Sequence, residues 1–252
     1  MLTLIIKILR IIRNRTDHFL FAGEHKWFFI QWWMLNGFFY SIVKKLKLRE
    51  GEHQIGRLRN QKAIFRSIKE NPIPGDVIEF GSYQGFGLYW LALFRNRFKI
   101  KNMKIIGVDS FQGLPESSTM WTKGQFNDTS IELCETKLCK MFGTKTLRAE
   151  EIYLIKGLFD DSAVKSHLGS ISQNFLIIHV DCDLGSSCLS ALEMVKKLNL
   201  NRYSYLLFDD WYLQEEEIPR SFDRFESETK GTYSLTYLSR TRFTKYFTLS
   251  VR

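Results

Sequence analysis

From about residue 57 onward, apolar runs of strand length alternate with stretches whose apolar residues recur at helical spacing. The runs at 76–80, 103–108, 151–156, 175–181 and 203–209 are short and nearly continuous in Ile, Leu, Val and Phe. Such runs suit strands buried on both faces. Helical stretches are predicted near 57–70, 86–97, 129–142, 187–199 and 214–229. Alternation of this kind implies a mostly parallel sheet with helices on both faces. The last two strand runs, 232–238 and 244–250, are separated only by Ser239-Arg240-Thr241-Arg242. That linker is too short for a crossover, so the two should form an antiparallel hairpin. The pattern predicts an α/β fold with seven strands, the last two antiparallel.

The strand ends carry the chemistry. The run F-L-I-I-H-V ends in Asp181-Cys182-Asp183, and Y-S-Y-L-L-F ends in Asp209-Asp210. In a parallel sheet such strands deliver their carboxylates to one edge, where open α/β folds bind ligands. Clustered carboxylates repel, and a divalent cation or a bound proton relieves that repulsion. The alternative is that these acids cap the helices that follow. His179 shares a strand face with Asp181 by two-residue alternation, and its place before the strand end favours a packed histidine.

Upstream, Asp76-Val77-Ile78-Glu79-Phe80 runs directly into Gly81-Ser82-Tyr83-Gln84-Gly85 and a helical stretch. This E-x-G-x-x-x-G turn lets backbone N–H groups approach a ligand at a helix N-terminus. Lys104-Ile105-Ile106-Gly107-Val108 forms the next strand and ends at Asp109, placed to accept hydrogen bonds from both hydroxyls of a ribose. The pair points to a nucleoside-type cofactor, although the glycine pattern alone also fits an ordinary strand-to-helix turn. Pro115–Ser130 is loop-like and long enough to serve as a lid over an acceptor.

Charge divides the chain. Residues 1–70 hold fourteen Lys and Arg against five Asp and Glu, whereas 71–252 hold twenty-two of each, so the whole net charge of +9 belongs to the N-terminal part. A neutral remainder argues against a nucleic-acid groove through the fold. Residues 1–52 are therefore predicted as a basic and aromatic helical extension, and 53–252 as the catalytic domain. In M-L-T-L-I-I-K-I-L-R-I-I-R-N-R, the residues Thr3, Lys7, Arg10 and Asn14 make one polar stripe on a broad apolar helix, the pattern of an in-plane membrane anchor. Residues 27–43 are aromatic-rich, are flanked by lysines, and contain Gln31 and Asn36; they fall short of the roughly 20 apolar residues of a spanning helix. Binding at an anionic bilayer surface, a packed or dimer-forming hairpin, and a true span all remain open for this extension. The cysteines Cys134, Cys139, Cys182 and Cys188 show no paired C-x-x-C spacing, and no cleavable signal is evident. They read as reduced thiols of a cytoplasmic protein, with Cys182 a packing residue. The enzyme would be cytoplasmic, or peripheral at the inner membrane face if the extension binds lipid.

The chain resembles class I S-adenosylmethionine-dependent methyltransferases, and within them the macrocin O-methyltransferase (TylF-type) family of sugar methylases. The resemblance runs from about His53 to the C-terminus. It is carried by H-Q-I-G-R (53–57), I-P-G-D-V-I-E-F-G-S-Y-Q-G (73–85), V-D-S-F-Q-G-L-P (108–115), G-L-F-D-D-S (157–162), V-D-C-D-L-G-S-S (180–187) and L-F-D-D-W (207–211). The chain departs from the family at Gly185, where an aromatic residue is usual, and at Arg202-Tyr203, where a glycine pair is usual. The resemblance implies a Rossmann-like sheet with a C-terminal antiparallel hairpin, and S-adenosylmethionine as cofactor. It implies Asp181, Asp209 and Asp210 as ligands to a divalent metal, for which magnesium is the hard cation that suits an all-oxygen set. Asp181 also matches the family's general base; Asp183 is either a supporting partner or the base itself. Cofactor contacts carry over to Glu79, Gly81, Ser82 and Gly85, to Asp109 and Ser110, to Phe159 and Asp160 beside adenine, and to a closing loop, Gln54-Ile55-Gly56-Arg57. Arg57 either pairs with the cofactor carboxylate or is a solvated charge at a helix start.

The implied reaction is metal-dependent O-methylation of a sugar hydroxyl on a glycan or glycosylated metabolite, an acceptor with vicinal hydroxyls. Methylation of a catechol or other vicinal diol uses the same geometry. A non-catalytic membrane scaffold retaining the cofactor fold is the alternative from another class. A homo-oligomer is compatible with all three.

Overall fold

The computed structural model describes residues 35, 37–211, 218–241 and 243–252. The anchor-like stripe of residues 1–15 and the first part of the aromatic stretch 27–43 lie outside the described residues. The chain divides into two compact units, Met1–Ile64 and Phe65–Arg252.

In the first unit, helix α1 (Gly37–Lys45) buries Val43 and ends in Lys44 and Lys45. Arg59 lies 5.1 Å from the Tyr40 ring centroid and donates to the Leu35 carbonyl at 2.6 Å. Helix α2 (Arg49–Glu70) begins eight residues earlier than its pattern predicts. The segment Gln54–Arg57, expected as a loop, is thus helical. Gly56 lowers local helix propensity by about 1 kcal/mol, and burial of Ile55 and Leu58 overrides it. Among the described residues, no helix is long and apolar enough to cross a membrane.

The second unit is built on one seven-stranded sheet ordered β3-β2-β1-β4-β5-β7-β6. Its strands are β1 (Asp76–Phe80), β2 (Ile105–Asp109), β3 (Ile152–Lys156), β4 (Phe175–Val180), β5 (Leu200–Phe208), β6 (Tyr233–Arg240) and β7 (Lys245–Val251). Strands β1 to β5 are parallel, and β7 runs antiparallel to both β5 and β6, so the expected closing hairpin is present. β1 and β4 are buried at every residue, the polar Asp76, Glu79 and His179 included.

The connecting helices are α3 (Phe86–Phe98), α4 (Ile131–Phe142), α5 (Ser162–Ile171), α6 (Gly185–Val195) and α7 (Ile218–Thr229). The hydroxyl of Ser130 caps α4 by accepting from the Leu133 N–H, and Gly143 closes it in the left-handed region. Helix α5 was not expected from the pattern. Its start is fixed by Asp161, whose carboxylate accepts from the Ala163 N–H at 2.9 Å, and it buries Val164 and Leu168 one turn apart. The main core joins one face of the sheet (Ile78, Phe80, Ile178, Val180, Phe208) to Leu168, Leu192 and Phe225 on the helices.

Strand order reverses between β1 and β4: β2 and β3 lie on the β1 side of this pair, β5, β7 and β6 on the β4 side. The carboxyl ends at such a reversal splay apart and leave a crevice, so the sheet itself places the candidate site between Gly81 and Asp181.

Candidate active site

The turn after β1 is held against the end of β4. Gly81 has φ +93°, and a Cβ there would lie 1.6 Å from the Asp181 carbonyl oxygen, so only glycine fits. Gly85 has φ +86°, precedes α3, and gives that helix no side-chain cap. The Gly85 N–H donates to the Ser82 carbonyl at 2.7 Å. On β2, Gly107 makes room for this turn, since a Cβ would stand 2.5 Å from the Ser82 hydroxyl. The Ser82 hydroxyl and Oε2 of Glu79 are both buried and have no hydrogen-bond partner among the described residues. A buried acceptor and a buried hydroxyl beside an uncapped helix N-terminus are groups that a polar, cationic ligand can satisfy.

Asp109 at the end of β2 fastens two loops. Oδ2 accepts from the Tyr83 N–H at 2.8 Å and Oδ1 from the Phe111 N–H at 2.7 Å. Each carboxylate oxygen has a second lone pair, so these bonds orient the group and leave acceptor capacity for a ribose. Ser110 turns its hydroxyl into its own loop, accepting from Gln112 N–H at 3.2 Å and donating to the Gly113 carbonyl at 3.3 Å. Phe159 packs edge-on against Phe80 of β1, with centroids 5.3 Å apart, and Asp160 lies 3.5 Å from the Ser190 hydroxyl.

The predicted lid, 115–130, is an ordered loop that ties the glycine turn to α6. The Tyr83 hydroxyl donates to Asp128 at 2.7 Å, and the Thr129 hydroxyl donates to the Tyr83 carbonyl at 2.8 Å. Phe126 packs edge-on to Tyr83 and tilted against Trp121, with ring centroids 5.4 and 5.5 Å apart. At its other end, the Ser186 hydroxyl in the first turn of α6 donates to Glu116. Tyr83, Asp128, Glu116 and Ser186 were not singled out from the sequence. Only the crowding of polar residues around the D-S-F-Q-G-L-P run could have hinted at them.

Asp181 and Asp209 extend the ladder one residue beyond β4 and β5: the Asp181 N–H donates to Phe80, and the Asp209 N–H to Val180, each at 2.9 Å. Adjacent strands stand about 4.8 Å apart, which puts both carboxylates within side-chain reach of a shared cation. One oxygen of Asp181, one of Glu79 and one nitrogen of His179 lie within 4.8 Å of one another. Asp181, Asp209 and Asp210 form no such tight set among the described residues. The N-cap residue of α6 is Leu184, whose side chain makes no cap hydrogen bond.

Four non-glycine residues with left-handed backbone follow four parallel strands: Tyr83 after β1, Phe111 after β2, Asp183 after β4 and Asp210 after β5. Such conformations persist only where surrounding contacts enforce them, and they cluster at functional edges. Cys182 is buried between the two acids. Its hydrogen bond with Cys188, burial and the neighbouring carboxylates hold the thiol well above its ordinary range, which fits packing and not reactivity. Gln54, Ile55, Gly56 and Arg57 lie together on one turn of α2, where Arg57 donates to Gln54 at 2.9 Å.

A family profile for macrocin O-methyltransferase (TylF) matches residues 51–242. Demethyldecarbamoylnovobiocin O-methyltransferase of Streptomyces niveus is 20% identical over 166 residues, which is 63% of this chain. The match spans about three fifths (61%) of that relative's length. The O-methyltransferase NovP superposes with TM-score 0.63 at 18% identity, covering 79% of this chain and 81% of its own. The calicheamicin methyltransferase CalS11 superposes with TM-score 0.58 at 18% identity, covering 86% and 88%. A Bacillus cereus O-methyltransferase in complex with SAH gives 0.51 at 12%, covering 77% and 80%. The chain belongs to the macrocin O-methyltransferase family, and its fold is that of these methyltransferases.

Proposed function

We propose that this member of the macrocin O-methyltransferase family moves the methyl group of S-adenosylmethionine to a sugar hydroxyl, with a divalent cation held by Asp181, Asp209 and Asp210. The observation that carries this reading is the meeting of the glycine turn and the acidic strand ends across the β1–β4 reversal. The unsatisfied Oε2 of Glu79 and hydroxyl of Ser82 fit the cofactor's ammonium end, and Asp109, already oriented by two backbone donors, fits its ribose.

When bound, the cofactor supplies an electrophilic methyl and the cation lowers the acidity barrier of the hydroxyl it contacts. The protein's own part is orientation and proton removal. Asp181 or Asp183 accepts the hydroxyl proton during attack, because a neutral sugar hydroxyl is too weak a nucleophile. The 115–130 loop, pinned at Asp128 and Glu116, screens the reacting atoms from water. The relative CalS11, named as a TDP-rhamnose 3'-O-methyltransferase of calicheamicin biosynthesis, favours a sugar acceptor over a catechol.

Calorimetric titration of S-adenosylmethionine, with magnesium and again with EDTA, tests cofactor and metal together. Saturable binding whose acceptor-diol affinity requires magnesium is expected; absence of cofactor binding contradicts the proposal. Peripheral attachment to an anionic bilayer is a separate part of the reading. It is supported by exposed Phe38, Ile42 and Leu46, one turn apart and interleaved with Lys44, Lys45 and Lys47. Flotation of the full chain with phosphatidylserine vesicles, and not with neutral ones, is the expected result; no flotation with either removes that part.

A further inference from the structure

We propose that His179 is a positioning residue: bonded to Glu79 across the β1–β4 seam, it locks the cofactor turn and Asp181 into one rigid unit. The inference rests on the reading of Asp181 as a metal ligand.

Its first support is placement. In the paired register of β1 and β4, the neighbours of this pair are Val77 with Ile177, Ile78 with Ile178, and Phe80 with Val180. Glu79 with His179 is the one such pair between them with two polar side chains, and it lies one residue short of the edge where the chemistry is assembled. Its neighbours in the ladder on the outer sides are Gly107 of β2 and Leu207 of β5. The position could have been filled by another aliphatic pair, as its neighbours were.

The second support is bonding. His179 Nδ1 and Glu79 Oε1 are 2.9 Å apart, with side chains 0% and 1% exposed. A fully buried polar pair adds little net stability over apolar residues of the same volume, and what it supplies is a single permitted geometry. That geometry reaches three elements. A Cβ on Gly87 would lie 2.0 Å from Glu79 Oε1, so the first turn of α3 rests on the same carboxylate that His179 holds. Two residues along β4, on the same face, an Asp181 oxygen lies within 4.8 Å of both groups. The glycine turn touches Asp181 from the other side, through the close approach of Gly81 to its carbonyl. Glu79 and His179 therefore brace from within the sheet what Gly81 and Asp181 meet at its edge. In metal sites, partners that orient a ligand this way typically contribute about ten- to a hundredfold to metal affinity or activity.

The test uses the full chain and manganese as probe, since bound Mn²⁺ is lost from the free-ion EPR signal. Removing the histidine alone would strand a buried carboxylate and threaten folding, so the informative variant is E79Q/H179L, in which neither group is charged. H179N is the conservative partner, because its amide nitrogen sits near the position of Nδ1 and keeps a donor for Glu79. Circular dichroism verifies that both fold. E79Q/H179L is expected to lose Mn²⁺ affinity by about tenfold or more, with H179N recovering part of the loss. A folded E79Q/H179L with Mn²⁺ affinity within about twofold of the parent, against the larger loss a positioning residue gives, overturns the proposal and leaves His179 a packed histidine. D210N is run beside them. If the parent binds Mn²⁺ no better than D210N, the metal reading itself fails and takes the positioning role with it; if D210N alone loses binding, only the positioning role fails.

Discussion

Replacing Gly81 by alanine puts the close packing of β1 against β4 to a quantitative test. Two costs are expected. A Cβ at φ +93° carries the left-handed penalty of about 1–2 kcal/mol. The same atom would sit 1.6 Å from the Asp181 carbonyl oxygen, a backbone atom that cannot swing aside, so strand ends must separate. Forced overpacking of this kind costs about 1–3 kcal/mol. The control is Gly143→Ala, at φ +66° with nothing within 4 Å of its Cβ, which isolates the backbone penalty alone. Urea denaturation of both variants should therefore show Gly81→Ala less stable than Gly143→Ala by about 2 kcal/mol. For a unit of this size that is a difference of roughly 4–8 °C in Tm. S-adenosylmethionine affinity should fall in Gly81→Ala and stay unchanged in Gly143→Ala. Equal stability of the two variants would refute the claim that the turn and the acidic strand end are in contact.

Other outcomes follow from the same geometry. Asp109→Ala removes two charge-assisted acceptors from the Tyr83 and Phe111 amides and should cost about 2 kcal/mol or more in chemical denaturation. Cofactor affinity should fall with it; an unaltered glycine turn, judged by affinity, would contradict that role. With Cys134, Cys182 and Cys188 buried, and burial or carboxylate neighbours pushing the Cys134 and Cys182 thiols up, their thiolate fractions are suppressed at mildly alkaline pH. Disulfide-exchange reagents should then titrate Cys139 alone in the native protein, at a rate that rises with pH because its own thiol is also held above the usual range. Fast reaction of a second thiol would count against this packing. Asp210→Asn should keep cofactor binding within about threefold while abolishing the magnesium-dependent turnover; magnesium-dependent turnover in this variant would remove Asp210 from the metal set.

Much of this was legible in the chain, and the exceptions have physical causes. Strands β4 and β5 announce themselves because each closes in an apolar run cut off by acid, and β1 because its buried run passes directly into a glycine turn; their carboxyl ends fall within a residue of where the pattern places them. Helix α5 did not, because its ten residues include three serines and a glycine, poor helix formers, and only tertiary burial of Val164 and Leu168 holds it. The helical state of Gln54–Arg57 was hidden by Gly56 in the same way. Asp109 could be seen as a ligand-facing acid, but its fastening of two loops depends on the left-handed Tyr83 and Phe111, which no pattern encodes. His179 was read as a packed residue because its partner is a hundred positions away. Only the strand order, which sets β1 beside β4, brings Glu79 to it.

The central claim is methyl transfer to a sugar hydroxyl with the aid of a cation. It is tested most directly by incubating the full chain with S-adenosylmethionine carrying a labelled methyl and a panel of nucleotide-linked sugars and glycosides, with magnesium or with EDTA. The account predicts label in at least one sugar acceptor with magnesium and none with EDTA. Label transferred equally well in EDTA, or to catechols and no sugar, would contradict it.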